Sequence, residues 1–558
     1  MTHPDSAEAT RLLRDAGAVL QMGFAGTAPP DWLRRRLAAG ELGGVALFRR
    51  NIAGTAQLAA LNAALRAENP DVLVCIDEEG GDVTRLEIER GSSYPGNHAL
   101  GVADDPGLTE AVAASIGRDL AAVGVNLNYA PDADVNANPD NPVIGVRSFG
   151  SAGPLVSRHA AAYVRGLQST GVAACAKHFP GHGDTSGDSH LGIPLVDFDA
   201  AAEEVHLAPF RAAIEAGAKA VMTAHVLFPR RDAELPATMS HAVLTGLLRR
   251  ELGFDGLVIT DGVDMGAISG RYGVAEGSVK AIAAGADAIC WGGSDAGDAE
   301  FLYLRSALMW AVREGRLSAD RLHEAAERNR SVARWSAAVR ATGTAAVDTG
   351  AADTTPDTTT TGTSTTTTTT TTTGTIATLT APDRVVGLEA ARRAVRVRGE
   401  LKPVTGPAHV VEFAPILSFA IDPATAWGVA EPLADLVPGT TGVRVEAPTT
   451  HVETVGLMSA PVVDEDAEID VAPLLAAAAG RPLVLVVRDL HRNRWMDRAV
   501  RDLLAQRPDA VVVETGLAYG RIDEIAAGGT AVVVTHGASR VCGVAAAEVL
   551  TGRVAESG

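Results

Sequence analysis

Residues 172–190 read VAACAKHFPGHGDTSGDSH. The stretch opens as a short apolar run and ends in three histidines, two aspartates and a lysine among glycines. An uncharged strand that stops abruptly at charged side chains is the pattern of a parallel sheet buried on both faces. Seven more runs of this kind flank it: AVLQMGF (18–24), GVALF (44–48), VLVCID (72–77), VNLNYAP (125–131), AVMTAHV (220–226), GLVITDG (256–262) and AICW (288–291). Between most of them lie Ala/Leu/Arg segments with helical spacing, such as LTEAVAASIGRDLAAVG and LAPFRAAIEAGAK. Eight strand–helix units over residues 1–340 predict an α/β fold of the (β/α)8 barrel type with insertions. A doubly wound open sheet is the structural rival.

The composition then breaks. Residues 341–377 are rich in threonine, with the run TTTTTTTTT near their end. A tract with nothing large to bury cannot offset its ordering entropy, so a disordered linker is expected there. A second domain is expected over 378–558, with strands at 408–415, 441–447, 482–489, 509–515 and 530–536. Helical segments such as WMDRAVRDLLAQR separate several of them, which predicts a smaller α/β/α sandwich.

Charge and apolar content exclude some classes of partner. Lys and Arg number 48 and Asp and Glu 68, a net charge of −20, which argues against nucleic acid or an anionic membrane as partner. No apolar run approaches the roughly 18 residues of a membrane span, and MTHPDSAEATRLLRDAG has no signal-peptide pattern, so the cytoplasm is the expected compartment. Cys75, Cys175, Cys290 and Cys542 lie in or beside apolar segments without CxxC spacing, and buried free thiols are expected.

In a barrel, active residues stand at the carboxyl ends of strands and in the loops that follow. Strand three ends at Asp77, strand five at Lys177 and His178, and strand seven at Asp261. Asp261 on its own reads equally as a helix cap. Given a proton donor across the scissile bond, it reads as a carboxylate nucleophile. Asp188 and His190 offer that donor, because an ionised Asp hydrogen-bonded to one ring nitrogen fixes the tautomer of the other. Gly181, Gly183 and Gly187 would loosen their loop into a mobile flap. A solvated polar loop is the plainer alternative. A metal site of His178, His182, Asp184, Asp188 and His190 matches no ligand spacing such as HExxH, so neither metal nor cofactor is expected.

KHFPGHG with DSH (177–190), ITDGVDM (259–265), IDEEGGDVTRL (76–86) and NPVIGVRSFG (141–150) together resemble glycoside hydrolase family 3, in its β-N-acetylglucosaminidase branch. The resemblance spans nearly the whole barrel. It implies Asp261 as nucleophile of a retaining reaction, His190 as general acid/base and Asp188 as its partner. It further implies that Asp77, Arg85, Arg147, Lys177 and His178 hold the sugar. Small glycosides bearing N-acetylglucosamine, from cell wall or chitin, are the implied substrates. Two residues depart from the family pattern: Asp82, where arginine is common, and Gly262 after the nucleophile.

A histidine acid/base also leaves a phosphorylase open as the alternative, with inorganic phosphate as acceptor. Phosphate approaching an anionic glutamate would meet about 4 kcal/mol of repulsion at about 4 Å and an effective dielectric of about 20. A neutral imidazole removes most of that penalty. A sugar-binding protein without turnover is the remote alternative.

Overall fold

The computed structural model describes residues 4–292, 296–348, 385–455 and 458–553. Eight parallel strands form the first sheet: Leu20–Met22, Gly44–Leu47, Leu73–Ile76, Leu127–Asn128, Ala173–Phe179, Ala220–Thr223, Leu257–Thr260 and Ile289–Trp291. Each pairs with its neighbour in chain order. The eighth pairs with the first, Leu20 opposite Ile289, and a bridge between Ile259 and Ala288 joins the seventh to the eighth. The ring is thus a (β/α)8 barrel, and the open-sheet rival is discarded. A helical segment follows each strand, from Asp31–Ala38 after the first to Asp298–Arg313 after the eighth.

The period-two alternation of the strands divides their side chains between two cores. Leu73, Cys75, Leu127, Tyr129, Ala173, Cys175, Met222, Leu257, Ile259 and Cys290 fill the barrel interior. Val74, Ala174, Val221, Val258 and Ile289 pack outward against the helices. All four cysteines are buried and unpaired. Three of them, Cys75, Cys175 and Cys290, pack as small side chains in the barrel interior. Val332 and Ala333 of the helix Ala319–Asp348 join the interior cluster.

The fourth strand is much shorter than the run 125–131. The Asn126 side chain accepts from the Val74 amide and donates to the Val72 carbonyl, while Asn128 does the same with the amide and carbonyl of Glu78. Side-chain amides thus take over rungs that backbone groups would otherwise supply.

Six strands make the second sheet, in the order Arg396–Arg398, Val532–Val534, Val511–Glu514, Leu483–Val487, His409–Ala414, Thr441–Glu446. All are parallel except the first, which runs antiparallel. Trp495, Met496, Val500, Leu503 and Ile522 cover one face, and Leu433, Ala546, Ala547 and Leu550 cover the other. This is the expected three-layer sandwich. Sequence reading missed the edge strand RVR, which is mostly charged, and an exposed hairpin, Thr449–Val455 with Met458–Val463. Of the expected linker, residues 341–348 continue the helix Ala319–Asp348; residues 349–377 lie outside the described residues, as do 378–384.

The two domains are joined at the barrel mouth. Asp82 Oδ2 accepts from Arg488 Nη2 at 2.6 Å, both side chains 4% exposed, and Asp82 Oδ1 accepts from the Ala538 amide. The helix Val385–Ala394 packs on the barrel helix Asn97–Ala103. Among the described residues no helix is long and apolar enough to cross a membrane.

Candidate active site

Seven of the eight residues singled out from the sequence line one cavity at the carboxyl ends of the barrel strands: Asp77, Arg85, Arg147, Lys177, His178, His190 and Asp261. The eighth, Asp188, lines the adjoining cleft and reaches the cavity through His190, whose Nδ1 lies 2.7 Å from Asp188 Oδ1. The same oxygen accepts from the His190 amide at 2.8 Å. Burial alone would raise the Asp188 carboxyl. The hydrogen bond and charge of His190 reverse that and hold it below the ordinary carboxylate range. Asp188 is therefore an anion that keeps a proton on Nδ1 and leaves Nε2 as the reactive edge.

Asp261 follows the seventh strand directly, and its Oδ1 accepts from the Gly262 amide at 2.8 Å. Burial pushes its carboxyl up, but His178, His225, His190 and that amide draw it down to about 2. An ionised, poorly solvated carboxylate is what a nucleophile requires.

Beside this carboxylate, cations and anions alternate. Lys177 Nζ lies 2.7 Å from Asp77 Oδ1 and 2.6 Å from Glu79 Oε1. Arg147 grips Glu79 through Nε at 3.0 Å and Nη2 at 2.8 Å. Burial opposes ionisation of Glu79, yet Arg147 and Lys177 hold it far below its ordinary range. His178 Nδ1 faces Asp134 Oδ2 at 2.7 Å, and its Nε2 lies 3.4 Å from Arg147 Nη2. Such a fixed array of donors and acceptors suits a ring of hydroxyls.

The flap is better anchored than its glycines suggest. His182 bridges Thr185 at 2.7 Å and Ser189 at 2.9 Å. The Gly266 amide, on the loop beyond Asp261, donates to the His190 carbonyl at 2.9 Å. Gly183 serves a close approach rather than mobility: a side chain there would strike the Val135 carbonyl. The spacious position is Gly187.

The five-residue metal set is not brought together as a ligand group. The described residues instead cluster Asp132, Asp134 and His178. The His178 and Asp134 ligand atoms already face each other, and Arg147 stands 3.9 Å from Asp132 Oδ2, where a cation would sit. Burial, then Asp134, pushes the Asp132 carboxyl well above its ordinary range. These features fit a hydrogen-bonded support for His178 better than a metal centre.

Sequence reading also missed Glu79 and Phe419, and weighed His182 only as a metal ligand, where it bridges Thr185 and Ser189. Glu79 stood in the quoted IDEEGG, and two nearby cations in search of a counter-charge were the signal. Phe419 belongs to the second domain, and nothing in PILSFAID marks it.

The fold and this constellation define a class: a (β/α)8 barrel with a buried carboxylate and an Asp-paired imidazole at one cavity at its mouth. Comparison with known proteins narrows it. Residues 13–332 match the family model described as the glycosyl hydrolase family 3 N-terminal domain. A β-hexosaminidase A of Pseudoalteromonas piscicida is 38% identical over 284 residues, covering 47% of each chain. This chain thus spans about half the length of that relative. A β-hexosaminidase of Neisseria meningitidis serogroup C is 38% identical over 269 residues, 46% of this chain and 73% of the relative. A solved family 3 β-N-acetylglucosaminidase of a Paenibacillus species superposes with a TM-score of 0.79 at 33% identity, over 98% of this chain and 97% of that one. The chain belongs to glycosyl hydrolase family 3, and its barrel is a glycoside hydrolase domain.

Proposed function

We propose that this chain is a retaining β-N-acetylglucosaminidase releasing terminal β-linked N-acetylglucosamine from small glycosides. The observation that carries the reading is that Asp261 and the Asp188–His190 dyad meet at one cavity walled by Asp77, Arg85, Arg147, Lys177 and His178. The names of the relatives, β-hexosaminidase and β-N-acetylglucosaminidase, point to the same sugar.

In the first step the Asp261 carboxylate attacks the anomeric carbon. The bond to the aglycone oxygen breaks, and that oxygen takes the Nε2 proton of the His190 imidazolium. The Nδ1 proton stays on His190 throughout, hydrogen-bonded to the Asp188 carboxylate. In the second step neutral His190 removes a proton from water, the water oxygen bonds to the anomeric carbon, and Asp261 is released. Two inversions give retention. Four buried, unpaired thiols fit a reducing compartment such as the cytoplasm.

An aryl β-N-acetylglucosaminide, incubated with and without millimolar phosphate, tests the reading. Free N-acetylglucosamine should be released at a rate indifferent to phosphate, and Asp261→Ala should abolish turnover. Turnover surviving in that variant would overturn the nucleophile. A sugar 1-phosphate product would instead change the acceptor to phosphate and leave the residue roles intact.

A further inference from the structure

The second domain reaches into the sugar cavity through the loop that follows its strand His409–Ala414. Phe419 and Ala420 of that loop line the cavity together with the barrel residues. Phe419 also lines the cleft between the barrel segment 141–147 and the second domain. The loop is tied down on the barrel side. Arg85 Nη2 donates to the Ala420 carbonyl at 2.9 Å, Arg49 pairs with Asp422 at 3.4 Å, and the Ala426 amide donates to the Ile88 carbonyl at 2.8 Å.

Held this way, the Phe419 ring stacks on the His190 imidazole, centroids 5.0 Å apart and planes inclined by 25°. Asp188 fixes the Nδ1 edge of that imidazole, and the Gly266 amide fixes its backbone carbonyl. Neither contact restrains tilting of the ring out of its plane, whereas a stacked aromatic does. The negative face of an aromatic ring also favours a cation against it, which is the state of His190 before proton donation.

We propose that Phe419 is a positioning residue for proton transfer to the leaving group, contributed by the second domain and acting through the His190 imidazole. The inference rests on the reading of His190 as general acid. It separates from the bland role of an interface plug, because a plug would affect every substrate alike.

The test compares kcat/KM on an alkyl β-N-acetylglucosaminide, whose leaving oxygen needs a proton, and on the 2,4-dinitrophenyl glycoside, whose leaving group does not. A positioned general acid contributes about 100- to 10,000-fold, so losing its alignment in part should be felt on the alkyl substrate. Phe419→Ala is expected to lose about tenfold or more on the alkyl glycoside and less than about threefold on the dinitrophenyl glycoside. Phe419→Tyr, which keeps the ring, should restore the alkyl rate, and Phe419→Leu, which fills space without a ring, should not. In a His190→Ala background the Phe419→Ala change should add nothing, since non-additivity is the mark of one residue acting through another.

Equal losses on both substrates, or a Leu variant as active as the parent on the alkyl glycoside, would overturn the proposal. His190→Ala tells the two failures apart. If it loses equally on both substrates, the acid/base assignment falls. If it is selective while Phe419→Ala and Phe419→Leu are not, only the positioning role falls.

Discussion

Asp82→Ala should loosen the second domain from the barrel. The structure gives Asp82 a partner 406 residues away, Arg488. Both side chains are 4% exposed at a separation of 2.6 Å, so the pair is buried. Truncating Asp82 strands the Arg488 guanidinium without its counter-charge and leaves the Ala538 amide without its acceptor. Removing one partner of a buried pair costs about 3–5 kcal/mol, whereas replacing both with apolar groups is often neutral. The expected pattern is therefore a loss of about 3–5 kcal/mol in Asp82→Ala that is largely recovered in Asp82→Ala/Arg488→Met. Calorimetry on the single and double variants, read as a double-mutant cycle, measures it. Because the same docking carries Phe419 to His190, Asp82→Ala should also lose more activity on alkyl than on dinitrophenyl glycosides. A cost below about 1 kcal/mol, or a double variant as unstable as Asp82→Ala alone, would refute the reasoning.

The Asp261 carboxyl, ordinarily near 3.8, is drawn down to about 2, so it stays ionised as pH falls from 7 to 4. Its depressed value adds stability that is fully present above pH 3.8 and is lost progressively as pH falls from there through about 2. The kcat/KM for the dinitrophenyl glycoside, which needs no acid, should thus stay flat from pH 7 to about 4; a limb centred near 5 in still-folded protein would contradict the ionised state. At Gly266 an added Cβ would meet the His190 carbonyl at 2.5 Å. Gly266→Ala should push the flap outward and lower kcat/KM on alkyl glycosides about tenfold with little change in melting temperature; an unaltered alkyl rate would show that the flap contact is dispensable.

The barrel was legible because parallel strands buried on both faces are written as uninterrupted apolar runs, and each run here stops where the mouth begins. Asp77, Lys177 and Asp261 were legible for the same reason: one charge after such a run can cap a helix, but three runs delivering charge to one rim are hard to explain by stability alone. Strand length was less legible. Asn126 and Asn128 look like ordinary polar interruptions until their amides are seen to imitate backbone rungs. The glycines of the flap read as freedom, yet Gly183 is required by contact with Val135, a neighbour nearly 50 residues upstream that no local pattern reveals. Phe419 was not legible, because its meaning depends on how one domain docks on another.

That docking bears on how the proposed chemistry is divided. The nucleophile stands directly after a barrel strand, where rigidity favours a fixed angle of attack. The acid stands on a flap and gains its position from three elements: Asp188 within the flap, Gly266 from the nucleophile's own loop, and Phe419 from the second domain. The Gly266 contact couples acid to nucleophile, so a flap displaced from one is displaced from both. The Phe419 contact adds a condition, since the imidazole face is covered only when the second domain is seated through Asp82 and Arg488. The attacking carboxylate is supplied by the barrel alone, while protonation of an unactivated leaving group depends on both domains. Glycosides whose leaving oxygen needs a proton should therefore lose more than activated ones in any change that unseats the second domain, and the leaving-group series reads that difference directly.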